Sequence, residues 1–177
     1  MLALLCISLF AQDIGAQTFS ENEWKVIHSL SPAVVQTDTT NAFEASEEAA
    51  LLGQHLFFDK RLSSNGEVSC ATCHIPEQYF TDGLSVSQGI KPLERNTTTL
   101  LNAAHQRWFF WDGRIDTLWG QPIQTLEHPS EMNLDRSEVL SVIEKDDVMH
   151  QQWERVFGAM ETQTKDENAA KLSKSIA

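Results

Sequence analysis

The sequence predicts an all-α fold, and three observations predict it. Apolar side chains recur at three- and four-residue steps in several windows, most of them opened by a Ser, Thr or Asp suited to cap a helix. No alternating apolar–polar run of comparable length argues for a strand. A hydrophobic share of 41% with only 8 Gly and 5 Pro among 177 residues is the composition of a chain that buries a core. The length suits a single domain of roughly 100–200 residues.

Met1 to Ala11 is apolar apart from Ser8, with small residues at Ala11 and at Gly15-Ala16. This predicts a secretory signal over residues 1–16, although no Lys or Arg precedes the apolar run. Ten or eleven apolar residues are too few to cross a bilayer, so no membrane span is expected. Cys6 would leave with the signal, and the mature chain keeps Cys70 and Cys73 in an exporting, periplasmic context. Residues 17–45 read as one short helix carrying Trp24, Val26, Ile27 and Leu30, followed by a linker through Ser31-Pro32.

Residues 46–177 form the predicted domain itself. Ser46, with Glu47 and Glu48, caps a helix whose apolar stripe is Leu51, Leu52, Leu56 and Phe57, and Asp59-Lys60-Arg61 ends it. From Leu62 to Gly89 the chain reads as loop, broken by Asn65-Gly66 and Asp82-Gly83. Thr97 to Ala104 is a short helical candidate, followed by the aromatic run Trp108 to Trp111, a pattern that usually belongs to a core. Asp116 or Thr117 caps the next helix, which runs to Leu126 with Pro122 in its first turn or at a kink. Ser137 caps an amphipathic helix with Val139, Leu140, Val142 and Ile143; another carries Val148, Trp153, Val156 and Phe157 before Gly158. Asp166 to Ala177 has Ala169, Leu172 and Ile176 at core spacing and stops without a cap, which predicts the front part of a longer protein.

Charge narrows the partners. With 25 acidic and 13 basic side chains the net charge is −12, so nucleic acid is not expected as a partner, because phosphate binding needs a basic patch.

The chemistry concentrates in Cys70-Ala71-Thr72-Cys73-His74, the spacing of a covalent haem attachment site. Two cysteines on one helical turn present both sulfurs to one porphyrin edge, and the following imidazole turns to the iron. The domain is thus expected to be a cytochrome c-like helical fold around one covalently bound haem, with His74 as the proximal iron ligand. Structural zinc needs four ligands, and His28, His55, His105, His128 and His150 show no second paired spacing. A thioredoxin-like pair lacks its βαβ context, and a disulfide across so short a span is strained. What faces the iron's other side decides the function. Met132, Met149, Met160 or a histidine would close it for electron transfer; a carboxylate and an amide, such as Glu131 and Gln121, would suit peroxide chemistry, although spacing alone favours a cap or surface role for each.

Leu52-Gly53-Gln54-His55-Leu56-Phe57-Phe58-Asp59, Arg61-Leu62-Ser63, the haem motif, Phe80-Thr81-Asp82-Gly83, Arg95-Asn96-Thr97, Leu101-Asn102-Ala103-Ala104 and Phe110-Trp111-Asp112-Gly113-Arg114 together resemble the bacterial di-haem cytochrome c peroxidase and MauG family. The resemblance runs from about residue 48 to 145 and corresponds to the family's N-terminal, peroxidatic haem domain. It implies a second haem c domain beyond Ala177 and places Gln121 and Glu131 as the distal amide and acid/base. It also makes Trp111 the tryptophan between the haems and Asn96 a ligand of a calcium ion at the domain interface. Hydrogen peroxide would be the substrate and a small cytochrome c or copper protein the electron donor, and a homodimer is compatible with the pattern. Many family peroxidases carry a closing histidine between the haem motif and the Arg-Asn-Thr segment; Leu84 to Pro92 holds none, with Gln88 the nearest polar side chain, so the haem is expected to be open without reductive activation. That places the protein nearer the MauG-like side, which oxidises a partner protein. A single-haem electron carrier with Met132 as sixth ligand is the alternative.

Overall fold

The computed structural model describes residues 18–30 and 37–177, so the expected signal and Cys6 lie outside the described residues. The chain divides into two units, after residue 34. The first holds helix α1, Glu21–Ser29, started by a reciprocal cap in which the Ser20 side chain accepts from the Glu23 N–H and Glu23 reaches back to Ser20. Its apolar side chains are not buried, and Trp24 stacks on His28.

The second unit is helical, and no β-strand forms among the described residues; only isolated bridges such as Phe109–Ile115 occur. Helix α2, Glu47–Phe58, starts at Ser46 as expected, but its buried positions are Ala49, Leu52, Gly53 and Leu56. Those steps of three and four place Leu51 about 100° away from Leu52, on the solvent side, where it is 53% exposed. After α3, Cys70–Cys73, come α4, Gly120–Glu127, and α5, Arg136–Glu144. Helices α6, Asp147–Phe157, and α7, Lys165–Ile176, complete the unit. Helix α2 lies against α6 and α7, α4 against α7, and α5 against both α6 and α7. The core they share runs through Leu52, Leu56, Leu126, Ile143, Trp153 and Leu172.

Two expected helix starts move and one expected helix does not form. Ser137 is not the cap of α5: Asp135 is, paired reciprocally with Glu138, and the Ser137 N–H donates to it. A carboxylate at that position serves both the free N–H groups and the helix dipole. Helix α4 begins at Gly120, not at Asp116 or Thr117, and Pro122 sits at its third position, where the missing N–H costs nothing. Thr97 to Ala104 is not a helix but an extended segment ending in a 3-10 turn at Ala103–His105. The Thr97 hydroxyl is engaged by Ser87 and Asp82, Thr99 donates to the Tyr79 carbonyl, and Asn102 is left-handed at φ 62°, so local bonds replace the helical ladder.

Helices α2 and α7 cross with backbone in contact. A Cβ on Gly53 would lie 1.7 Å from the Ser175 carbonyl oxygen. Alanine is the better helix former by ~1 kcal/mol, but here two backbones would have to part. Gly53→Ala is expected to cost about 3 kcal/mol net, lowering Tm by roughly 6–12 °C in a domain of this size. An unchanged melting curve would show that the helices do not meet at Gly53.

Candidate haem site and distal pocket

Helix α3 is a single turn, opened by Ser69, whose N–H donates to the Thr72 hydroxyl at 2.9 Å. The turn puts Cys70 and Cys73 on one cavity wall, and both are free thiols. The His74 N–H closes the turn on the Cys70 carbonyl at 2.9 Å, after which the backbone leaves the helix. The His74 Nδ1 lies 3.1 Å from the Phe80 carbonyl. That contact makes Nδ1 the protonated nitrogen and gives Nε2 the lone pair, which is the tautomer an iron ligand requires. Tyr79 and Phe80, both left-handed at φ 57° and 58°, bend the chain so that this carbonyl faces the ring.

Cys70, Cys73 and His74 border a cavity of about 490 Å³. Phe57, Val68, Leu100 and Met132 supply its apolar walls. The volume falls within the roughly 300–1,000 Å³ of cofactor pockets. Burial pushes the Cys70 thiol up to about 12 and raises Cys73 as well. Burial also lowers the His74 pKa, against the upward pull of the Phe80 carbonyl, the Asp82 charge and the Thr98 carbonyl, so the ring is held as neutral imidazole. Two thiols on one turn, a neutral imidazole with a directed lone pair and an apolar chamber fit a covalently attached haem.

Gln121 and Glu131 border the same cavity. Gln121 stands in the first turn of α4, and its Nε2 donates to the Thr125 hydroxyl at 3.4 Å. Glu131 is on the loop after α4, which is pinned from both sides. Its N–H donates to the His128 carbonyl at 3.0 Å, and its own carbonyl accepts from Ile90 at 3.0 Å. Gly89 permits that approach, since a Cβ there would lie 2.4 Å from the Ser130 carbonyl oxygen. Burial raises the Glu131 pKa, opposed by a hydrogen bond from Thr125 and by the charges of His128 and Arg114. A carboxyl shifted toward neutrality beside an amide is suited to pass a proton to and from a small oxygen species.

A second hollow of about 840 Å³ is also bordered by His74, Gln121 and Glu131, and reaches Trp108, Trp111 and His128. Trp111 is 84% exposed and Trp108 57%, so the two tryptophans at the ends of the aromatic run are surface features, whereas Phe109 between them is buried. Left-handed Phe110 and Gly113 turn the segment outward, and the Arg95 guanidinium lies 5.7 Å over the Trp111 ring. Asn96 borders this hollow, exposed, its Nδ2 donating to the Thr97 carbonyl at 3.4 Å.

The other candidates separate by position. Met149 and Met160 are buried in the helical core and border neither cavity, whereas Met132 and His105 border the first. Gln88 borders neither cavity, its Nε2 donating to the Gly89 carbonyl at 3.3 Å. Sequence reasoning missed Thr125 and the side chain of His128. Their signals were Thr125 one helical turn after Gln121 and His128 three residues before Glu131 across a proline.

Comparison with known proteins agrees with this geometry. A profile of the di-haem cytochrome c peroxidase family matches residues 47–177. The methylamine utilization protein MauG of Methylorubrum extorquens is 48% identical over 89 residues, 49% of this chain and 25% of that protein. The cytochrome c551 peroxidase of Nitrosomonas europaea is 30% identical over 161 residues, 89% of this chain and 46% of that protein. Among solved structures, a MauG-like protein associated with microbial copper homeostasis matches with a TM-score of 0.70 at 27% identity, covering 81% of this chain and 43% of that one. The diheme peroxidase BthA of Burkholderia thailandensis gives 0.66 at 27%, covering 81% and 38%. The chain thus spans less than half the length of each of these relatives. Its cysteine–histidine turn, its chamber and the profile match over residues 47–177 all agree: the chain belongs to the di-haem cytochrome c peroxidase family.

Proposed function

We propose that residues 46–177 form the peroxide-reactive haem domain of an exported di-haem enzyme that reduces hydrogen peroxide, with residues 1–16 as its signal. The observation that carries this is the shared cavity: neutral His74 with its Nδ1 tied to Phe80, and Gln121 and Glu131, border one chamber beside both cysteines. Cys70, Cys73 and His74 would hold the haem, which would supply the redox-active iron for O–O cleavage. Glu131 takes a proton from one peroxide oxygen and delivers it to the other, and its raised pKa keeps both directions accessible. The Gln121 amide orients the peroxide by hydrogen bonding. The two electrons would be supplied by a small cytochrome c or copper protein through a second haem c of the complete enzyme. Asn96, exposed at the edge of the second hollow, would offer its side-chain oxygen to a calcium ion.

Spectroscopy tests this proposal. The haem-loaded ferric protein is expected to be high-spin and to react with peroxide without prior reduction, in keeping with Gln88 turned back onto its own loop. A low-spin spectrum abolished by Met132→Ala or His105→Ala would make the protein an electron carrier instead.

Trp111 is the proposed relay from the second haem, because its exposed ring borders the same hollow as His74. Trp111→Phe in the complete enzyme is expected to leave the bimolecular reaction with peroxide unchanged and to slow steady-state turnover. Equal turnover in the two proteins would remove Trp111 from the electron path.

A further inference from the structure

Peroxide reduction consumes two protons as well as two electrons: the O–O bond breaks, two O–H bonds form, and two waters leave. Glu131 only moves a proton between the peroxide oxygens, so the protons that enter with each turnover need a route from solvent. We infer that His128 is that route, taking protons from water and handing them from Nδ1 to Glu131 Oε1. This rests on the proposed peroxide chemistry of the pocket and extends it.

Position is the first support. The His128 Nδ1 lies 3.5 Å from Glu131 Oε1, and the His128 side chain is 44% exposed against 24% for Glu131. Glu131 borders both cavities, whereas His128 borders only the second. The pair therefore runs from solvent to the chamber of His74 and Gln121. Fixed backbone geometry is the second support. Glu131 N–H and Asn133 N–H both donate to the His128 carbonyl at 3.0 Å, which clamps the turn through Pro129. The Ser130 N–H donates to the His128 Nδ1 at 3.3 Å. The neutral ring therefore carries its proton on Nε2 and keeps Nδ1 as the basic atom beside the carboxyl. Protonation at Nδ1 then leaves Oε1 as the acceptor within reach.

Chemistry excludes the other neighbours. Apart from His128, the groups that act on Glu131 are the Thr125 hydroxyl and the Arg114 guanidinium. The Cys73 thiol also senses the Glu131 charge, but it is committed to haem attachment. A threonine hydroxyl and a guanidinium do not give up protons near neutral pH, whereas an imidazole does.

The test is His128→Asn in the haem-loaded, complete enzyme. Asparagine keeps a side-chain acceptor for the Ser130 N–H and cannot carry a proton. Steady-state turnover at low buffer concentration is expected to fall about tenfold, below the 10²–10⁴ typical of a direct acid/base. Raising the concentration of a small general-acid buffer should restore it, while wild type stays insensitive to buffer. The bimolecular rate with peroxide in single mixing, where Glu131 moves the proton internally, should stay within about twofold of wild type. A merely structural role would not create buffer dependence. Turnover equal to wild type at low buffer, or a loss that buffer does not relieve, would overturn the relay. Glu131→Gln run in parallel keeps the two ideas apart: an unaffected peroxide rate there would overturn the pocket's peroxide chemistry, whatever His128 does.

Discussion

Glu131→Gln is expected to lower the rate with hydrogen peroxide by 10²–10⁴, with the haem still attached and the fold intact. Glutamine has the same reach and can keep the contacts with Thr125 and His128, so what is lost is proton transfer and not shape. The pH profile gives an independent check. Burial places the Glu131 pKa above the ordinary 4.5, and the side chain must be ionised to accept the first peroxide proton. The peroxide rate should therefore rise with pH through that elevated value, and the acid limb should vanish in Glu131→Gln. The same shift has a stability consequence. A carboxyl whose pKa is raised on folding binds its proton more tightly in the native state, so its contribution favours the fold at low pH. That contribution is lost as pH rises from the unfolded value through the folded one. Glu131→Gln should therefore be slightly stabilised relative to wild type above that window and not below it. A peroxide rate within threefold of wild type would remove Glu131 from the chemistry.

The parts of this structure legible in the sequence are those set by short-range rules. The caps at Ser46 and the helical periods of α5, α6 and α7 follow from spacing and from polar side chains that satisfy free N–H groups. The haem turn follows in the same way, since two cysteines three residues apart and a histidine next to them leave little geometric choice. What was not legible depends on contacts distant in sequence. Leu51 looks as apolar as Leu52, and only the approach of α7 at Gly53 decides which of them is buried. The threonine run after Asn96 has enough helical company in Leu100, Leu101 and Ala103, yet Thr97 is claimed by Ser87 and Asp82 from a loop ten to fifteen residues earlier. Trp111 illustrates the same limit from the surface side. Its aromatic neighbours suggest a core, but left-handed Phe110 and Gly113 turn it out toward Arg95.

The double substitution Cys70→Ser with Cys73→Ser is expected to abolish covalent haem completely: after denaturation in acid and organic solvent, the colour should separate from the polypeptide. Each single serine variant should retain one thioether and stay coloured, because the two sulfurs stand on the same turn, which the Thr72–Ser69 and His74–Cys70 backbone bonds keep in place. The double variant also reports on how attachment supports the fold. Helix α3 has only four residues, too short to be stable without its surroundings, and it borders the chamber with His74. A haem tied to it would act as a second core in the chamber of about 490 Å³ lined by Phe57, Val68 and Met132. Removing that filling exposes apolar wall on both sides of the cavity, and at ~25 cal/mol per Å² even 100–200 Å² of newly wetted surface is worth roughly 2.5–5 kcal/mol. The double variant should therefore melt well below wild type and regain part of the loss when free haem is added, since His74 keeps its Nδ1 contact with Phe80 and can still bind iron through Nε2. Colour that stays with the denatured chain of the double variant would mean that the attachment lies elsewhere, and melting unaffected by loss of haem would mean that the chamber closes on its own.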